Sequence, residues 1–156
     1  MPSPPPYRSK TVAAWLTLAL GALGLHRLYL HGRRDRLVWA YPLPTLLGLA
    51  GVQRLRALGQ DDMLAWLLIP LLGLMLSLAS LTAIVYALTP DEKWDARHNP
   101  GQPVHATGWG PVLAAILALL LGGAAFMGTM AYGGQKFFEW QMAAPVAGAQ
   151  ASRSMG

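Results

Sequence analysis

Four apolar stretches, separated by short polar segments, divide the chain along its length. They cover residues 11–30, 37–58, 63–88 and 109–132. Each is close to the roughly 20 residues that a helix needs to cross about 30 Å of hydrocarbon. The apolar positions do not alternate with a period of two, as the strands of a membrane barrel would. The pattern therefore predicts an all-α integral membrane protein with about four transmembrane helices.

The second stretch is the weakest of the four. Pro42 and Pro44 interrupt its beginning, and Arg54 and Arg56 make its end polar. Proline removes a helical hydrogen bond and clashes with the preceding turn. We expect a broken, tilted or short helix here, and whether it crosses the membrane completely stays open.

A short interfacial helix is predicted in the polar loop 89–108, between the third and fourth stretches. Thr89 fits an N-cap, Pro90 the first helical position and Glu92 a capping box. The helix is expected to continue to about His98. We divide the chain into four parts: a proline-rich tail (1–10), a hairpin (11–58), a second helix pair containing this loop (63–133), and an interfacial segment with a mobile C-terminal tail (134–156).

Composition supports a membrane location. Hydrophobic residues make up 54% of the chain and charged residues only 12%, about half the usual share of a soluble domain. The net charge of +5 comes from basic residues that flank the apolar stretches, which favours a membrane protein over one that binds nucleic acid. With no cysteine, disulfide bonds and thiolate metal sites are excluded.

Ionisable residues stand at the end of the first apolar stretch. His26 and Arg27 could gate protons, bind an anion or engage lipid phosphate. The alternative is structural: Arg27 snorkels to the interface, while His26 and Tyr29 hydrogen-bond to the second helix and set the angle of a hairpin. We favour the structural role, because charges are tolerated near the end of a span. The following Arg33, Arg34 and Arg36 are expected to contact anionic lipid headgroups, at about 1 kcal/mol per residue.

These residues also carry a resemblance to a known family. The segment 9–32 resembles the start of the two-transmembrane domain family: a basic residue, an apolar helix ending in Gly-x-x-Gly, and then a His-Arg-aromatic core followed by glycine. The matching positions are Lys10, Gly21, Gly24, His26, Arg27, Tyr29 and Gly32. Leu28 replaces the usual phenylalanine, and His31 delays the glycine. The resemblance implies a membrane hairpin in an extended bacterial-type member, and it implies no catalytic residue.

Small residues recur at helical spacing in the third and fourth stretches. Such stripes let helices approach closely in lipid. We expect them to pack the bundle internally, with self-association or docking to another membrane protein as the alternative. The positions are Gly73, Ser77, Ser80, Ala114, Ala118 and Gly122.

One trio in the polar loop has the spacing of metal ligands. Asp91, Asp95 and His98 fall on one face of the predicted short helix. Acids in a first helical turn also complement the helix dipole, and Asp95 has basic neighbours with which to pair. We favour this structural role and predict no metal site and no cofactor.

The sequence favours a non-enzymatic membrane protein, an accessory or scaffold subunit of a bacterial inner membrane that packs against lipids or other membrane proteins. No span contains an acid, and no catalytic or phosphate-binding motif is present. The alternative is a small channel or transporter with His26 and Arg27 near a pore mouth. Four spans would put both termini on the same side, with basic residues almost evenly divided between the sides. The cluster at residues 33–36 favours a cytoplasmic first turn, with both termini outside.

Overall fold

The computed structural model describes residues 6–154, with side chains as far as Met142. The regular structure of this part is entirely helical, which confirms the all-α prediction. In order, the elements are α1 (Lys10–Leu20), a 3₁₀ turn (Gly21–Leu23), α2 (Leu25–His31), α3 (Arg36–Ala40), α4 (Pro42–Leu58), α5 (Met63–Leu88), α6 (Asp91–His98) and α7 (Gly110–Ser154).

Two helices in the described residues are long and apolar enough to cross a membrane. They are α5 and the part of α7 that covers Gly110–Met142. Only 17% of the most apolar stretch of each is buried inside the protein. Most residues of these two stretches are therefore not fully buried within the described part of the chain.

The first apolar stretch does not form one straight helix. The Ser9 backbone N–H donates a hydrogen bond to the Tyr29 hydroxyl at 2.9 Å, and Leu30 packs with Ala13. A continuous helix would separate residues 9 and 29 by about 30 Å. The chain instead reverses at the 3₁₀ turn and Gly24, whose φ of 78° lies in the left-handed region. The prediction of a single spanning helix over 11–30 is therefore wrong, and α1 and α2 form a short antiparallel hairpin.

The tip of this hairpin lies against the middle of α5. A Cβ added to Gly21 would lie 2.9 Å from the Cβ of Ala79, nine residues before α5 ends at Leu88. At 1.5 Å per residue, the hairpin reaches about 14 Å along α5 and returns. Both ends of the hairpin consequently lie beside α6.

The second apolar stretch is broken as expected, because α3 ends at Ala40 and α4 begins at Pro42. Together α3 and α4 run antiparallel to α5. Gly48 of α4 packs directly on the Leu72 backbone, and further along Arg54 forms an ion pair with Asp62, the N-cap of α5, at 2.7 Å.

On its other side, α5 packs antiparallel to α7 through small residues. A Cβ on Gly73 would overlap Thr129, and one on Gly122 would lie 2.4 Å from the Cβ of Ser80. The Ser77 hydroxyl donates to the Gly73 carbonyl at 2.8 Å. Helix α1 fits against both helices, where Ala14, Ala87, Ala114 and Ala115 form a buried cluster, and Ala118 lies fully buried one turn further along α7. The predicted stripe residues thus pack within the chain.

Two predicted boundaries change. Helix α6 begins at Asp91 with Pro90 at the N-cap position, while Thr89 caps the end of α5 and donates its hydroxyl to the Val85 carbonyl. Helix α7 continues through the glycines at 133 and 134 to Ser154, so the separate segment predicted over 134–156 is part of α7 that far. Residues 155–156 of that predicted tail, and residues 1–5 of the proline-rich tail, lie outside the described residues.

Candidate functional site

The residues predicted to form the hinge of a hairpin lie at the tip of the α1–α2 hairpin and along α2; they are Gly21, Gly24, His26, Arg27, Tyr29 and Gly32. Gly24 is required by its positive φ and by its surroundings, since a Cβ there would lie 2.8 Å from the Tyr41 Cβ and 3.1 Å from the Val38 carbonyl oxygen. Gly32, with φ 74°, ends α2 and has open space around it. The glycines of the motif therefore allow a chain reversal and a close approach of α3.

His26 is buried to 1% exposure between aromatic rings. Its ring centroid lies 5.5 Å from that of Tyr41 and 6.1 Å from that of Tyr86, and its Nδ1 has no hydrogen-bond partner within the described part of the chain. The hydrogen bond that was expected from His26 to the helix of the second apolar stretch is absent among the described residues. Arg27 does not simply extend to the interface but forms an ion pair with Asp35 at 2.7 Å. His26 therefore fills space in the hairpin, and Arg27 holds the turn that follows it.

Thr45, which the sequence analysis did not single out, makes a polar contact between the α1–α2 hairpin and α4. The Thr45 hydroxyl donates to the Ala22 carbonyl at 2.6 Å and is buried. Tyr29, which was expected to contact that helix, bonds Ser9 instead. The only signal in the sequence was a threonine within the second apolar stretch, close to Pro42, and such a residue by itself indicates no specific partner.

The base of the hairpin is fastened to α6 through Lys10. The Lys10 side chain is 7% exposed, and its ammonium group forms an ion pair with Asp91 and donates to the Thr89 carbonyl at 2.9 Å. The Thr107 backbone N–H and hydroxyl also donate to Asp91, at 2.8 and 2.7 Å. Burial acts to raise the pKa of Asp91, but Lys10 and Thr107 outweigh it and lower the pKa to about 2. Asp91 is therefore an ionised anchor.

Asp95 gathers the segment before α1 and the loop after α6. It accepts hydrogen bonds from the Asn99 side chain at 2.7 Å, the His105 backbone N–H at 2.9 Å and the Tyr7 hydroxyl at 3.1 Å. Burial acts to raise the pKa of Asp95, and these donors hold it below its usual value. The buried Trp94 indole N–H donates to the Arg8 carbonyl at 2.8 Å. The chain before α1 is thereby tied to α6 at several points.

These contacts explain the ligand-like trio without a metal ion. Both carboxylates are occupied by donors from this chain, and His98 turns Nδ1 towards the Trp94 carbonyl at 3.2 Å while its ring stacks on Trp94. Among the residues with described side chains, no group of three or more histidines and acids is arranged to hold a metal ion. The spacing of Asp91 and Asp95 places them on one face of α6, and the tertiary structure brings Lys10 and the His105 backbone N–H to that face.

The arginines after the hairpin face solvent. Arg33, Arg34 and Arg36 are exposed, and within the described residues none of them forms an ion pair. They lie at the end of the bundle that also holds α6, because α2 returns to that end. The arginines of the turn 33–36 and the basic residues Lys93 and Arg97 of α6 therefore share one end of the molecule.

Comparison with protein-family models, curated proteins and solved structures finds no match for this chain. The resemblance to the two-transmembrane domain family consequently depends on the hinge residues alone.

Proposed function

We propose that this chain is a non-enzymatic integral membrane protein that serves as an accessory or scaffold subunit, in the inner membrane of a bacterium. The carrying observation is the outward apolar surface of α5 and α7, whose most apolar stretches are only 17% buried. The charged groups at the α6 end support a structural role for that end. Lys10 pairs with Asp91, and Asp95 accepts hydrogen bonds from the loop after α6, so these groups join segments of the chain rather than line an open cleft.

The proposed membrane topology has three crossings and one re-entrant hairpin. The α3–α4 pair, α5 and α7 would cross, and the α1–α2 hairpin would enter and leave on the side of α6. The length of α3–α4 supports this. Residues 36–58 run along α5 from the α6 end of the bundle to the start of α5, where Arg54 pairs with Asp62. Helical backbone at half depth is compatible with lipid because the hairpin packs against protein on α5 and α7.

This topology divides the basic residues unevenly. The α6 end would carry Arg8, Lys10, Arg27, Arg33, Arg34, Arg36, Lys93 and Arg97, and the opposite end only Arg54, Arg56, Lys136 and Arg153. Since basic residues are enriched on the cytoplasmic side, the α6 end and the N-terminus would be cytoplasmic and the C-terminus external. Four crossings would have left the two sides nearly equal.

Reporter fusions in a bacterial host test the topology. Alkaline phosphatase fused at the C-terminus or after Gln60 is expected to be active, and fused at the N-terminus or after His105 to be inactive. A fluorescent protein that matures only in the cytoplasm should give the opposite pattern. Termini that report the same side would contradict three crossings, and fusions that are cytoplasmic in the soluble fraction would contradict the membrane assignment altogether.

A partner surface is proposed on the outward face of α7. Gly123 and Gly128 have open space where a side chain would be, so the backbone is accessible to another helix. The neighbouring Leu119 and Met127 are 66% and 67% exposed. A second membrane helix, from another protein or another copy, could approach closely here.

Co-purification from native membranes in mild detergent tests the scaffold role. A partner or a second copy should co-elute with the wild type and be lost with Gly123→Leu, because the added side chain blocks close approach. Leu121→Phe, at a position that is already large and 59% exposed, is the matched control and should retain the partner. A wild-type monomer that carries no partner would refute the scaffold role.

The channel or transporter alternative gains no specific support. It requires His26 and Arg27 near a pore mouth, whereas His26 is enclosed by aromatic rings and Arg27 is paired with Asp35.

A further inference from the structure

A small basic pocket lies where α5 ends and α6 begins, beside the end of α2. Its volume is about 130 Å³. Lys93, Arg97 and His98 of α6 and His31 of α2 line it, with the Trp94 ring as part of its wall. No acidic residue lines the pocket. The hairpin fold creates this site, because α2 must return to α6 for His31 to reach it.

No ion pair among the described residues neutralises the positive charges of Lys93 and Arg97. Asp91 binds Lys10 and Asp95 binds the loop after α6. The third acid of α6, Glu92, is exposed and does not line the pocket. Uncompensated cations that converge on one cavity attract an anion.

The helix dipole accounts for only part of this arrangement. Arg97 and His98 lie in the last turn of α6, where cations are favourable. Lys93 lies one turn earlier and His31 belongs to another helix, so the dipole explains neither. Burial lowers the pKa of His98, the bond to the Trp94 carbonyl opposes this, and the neighbouring Arg97, His31 and Arg8 lower it further. His98 is therefore mostly neutral at pH 7, and the fixed positive charges of the pocket are those of Lys93 and Arg97.

The pocket opens onto an apolar track along α5. Val85 lines the pocket and is 55% exposed, and Leu81 and Leu78 follow it on the same face at helical spacing, 57% and 45% exposed. A phosphate held by Lys93 and Arg97 would place an attached acyl chain along these residues.

We propose that this pocket binds the phosphate group of one anionic phospholipid, with Lys93, Arg97, His98 and His31 around the headgroup and the acyl chain against Val85, Leu81 and Leu78. The inference deepens the proposed membrane function and depends on it. The lipid would occupy the cleft between α2 and the α5–α6 junction, and so would bridge the hairpin to the rest of the bundle.

Lipid binding to the full chain in an uncharged detergent tests the proposal. The probes are short-chain phosphatidylglycerol, phosphatidylcholine with the same acyl chains, and inorganic phosphate, followed by native mass spectrometry and equilibrium titration. One phosphatidylglycerol per chain should bind at least tenfold more tightly than phosphatidylcholine, whose choline meets the same cations. Inorganic phosphate, which lacks the acyl contacts, should bind at least 100-fold more weakly.

Two double variants separate the pocket from general surface charge. Lys93→Gln with Arg97→Gln should lower phosphatidylglycerol affinity about 30-fold, as expected for two basic residues near a headgroup. Arg33→Gln with Arg34→Gln removes the same charge from a turn that does not line the pocket, and it should lower the affinity less than about threefold because diffuse attraction is screened by salt. All four side chains are exposed, so both variants should keep the wild-type helix content.

Equal losses in the two double variants would overturn the pocket in favour of diffuse attraction. Equal binding of the two lipids would overturn the preference for an anionic headgroup, and equally tight inorganic phosphate would replace the lipid by a soluble ligand. A chain with the expected reporter topology but without lipid selectivity loses this inference alone, whereas a soluble chain loses the proposed function as well.

Discussion

The Lys10–Asp91 ion pair is expected to hold the hairpin to α6 with a measurable free energy. Its strength can be worked from the carboxylate. A pKa drop from 3.8 to about 2 corresponds to about 2.5 kcal/mol of preferential stabilisation of ionised Asp91 in the fold. Because Thr107 supplies part of this stabilisation and 21% of the Asp91 side chain remains exposed to screening, the contribution expected from Lys10 is between about 1 and 2 kcal/mol. Lys10→Met should destabilise the protein by at least this amount, since it also removes the bond to the Thr89 carbonyl.

The pH dependence of this contribution has a definite sign. The folded pKa of Asp91 is below its unfolded value, so the stabilisation is complete above about pH 4 and is lost as the pH falls towards 2. The difference in unfolding free energy between the wild type and Asp91→Asn should therefore be largest near neutral pH and shrink between pH 4 and 2.

A double-mutant cycle measures the coupling directly. Lys10→Met, Asp91→Asn and the combined variant are unfolded reversibly by a denaturing detergent added to mild-detergent micelles, followed by circular dichroism. We expect a coupling of about 1 to 2 kcal/mol between the two positions. The pair Lys136–Glu139, whose carboxylate is 44% exposed, is the control and should show a much smaller coupling. Additive effects of the Lys10 and Asp91 substitutions, or a difference from Asp91→Asn that does not change with pH, would refute the reasoning.

Three further predictions concern packing and the hairpin, and the same unfolding assay measures them. Gly48→Ala should lower the free energy of unfolding by about 1 to 3 kcal/mol, because the added Cβ would meet the α5 backbone. Gly123→Ala, with open space around it, should be neutral or stabilising by up to about 1 kcal/mol. Equal effects of the two substitutions would contradict the close α4–α5 contact. Thr45→Val should cost about 1 to 2 kcal/mol through the lost bond to the hairpin tip, and Thr45→Ser should retain most of the stability; a Val variant as stable as the Ser variant would dismiss that bond. Gly24→Ala should cost about 2 to 4 kcal/mol from its positive φ and its contact with α3, and a cost below 1 kcal/mol would count against the reversal at this residue.

Helical elements were predictable where local chemistry is strong. The long uncharged stretches indicated α5 and most of α7, and Pro42 indicated the break before α4. The short helix α6 was also expected, because proline precedes it and Asn99-Pro100-Gly101 follows it. Its exact start was misplaced by the capping pattern, since Thr89 caps the end of α5 instead.

The roles of individual site residues were less predictable. The sequence placed Tyr29 near the second helix, but the reversal at Gly24 carries it to Ser9, twenty residues earlier. The spacing of Asp91 and Asp95 indicated a shared face, yet the partners Lys10 and Tyr7 come from the other end of the sequence. Hydrogen bonds between distant segments leave no local signal, because each partner alone is an ordinary polar residue.

By itself, the sequence determined that the chain is helical and apolar enough for a membrane, because these properties depend on residue type and local periodicity. Only the tertiary structure decided how the first apolar stretch runs against the rest of the bundle. One glycine with positive φ turns this stretch back on itself and brings His31 to α6. A stretch of given length and hydropathy can form one long helix or a short hairpin, and the packing of α1 against α5 and of α2 against α6 selects the hairpin.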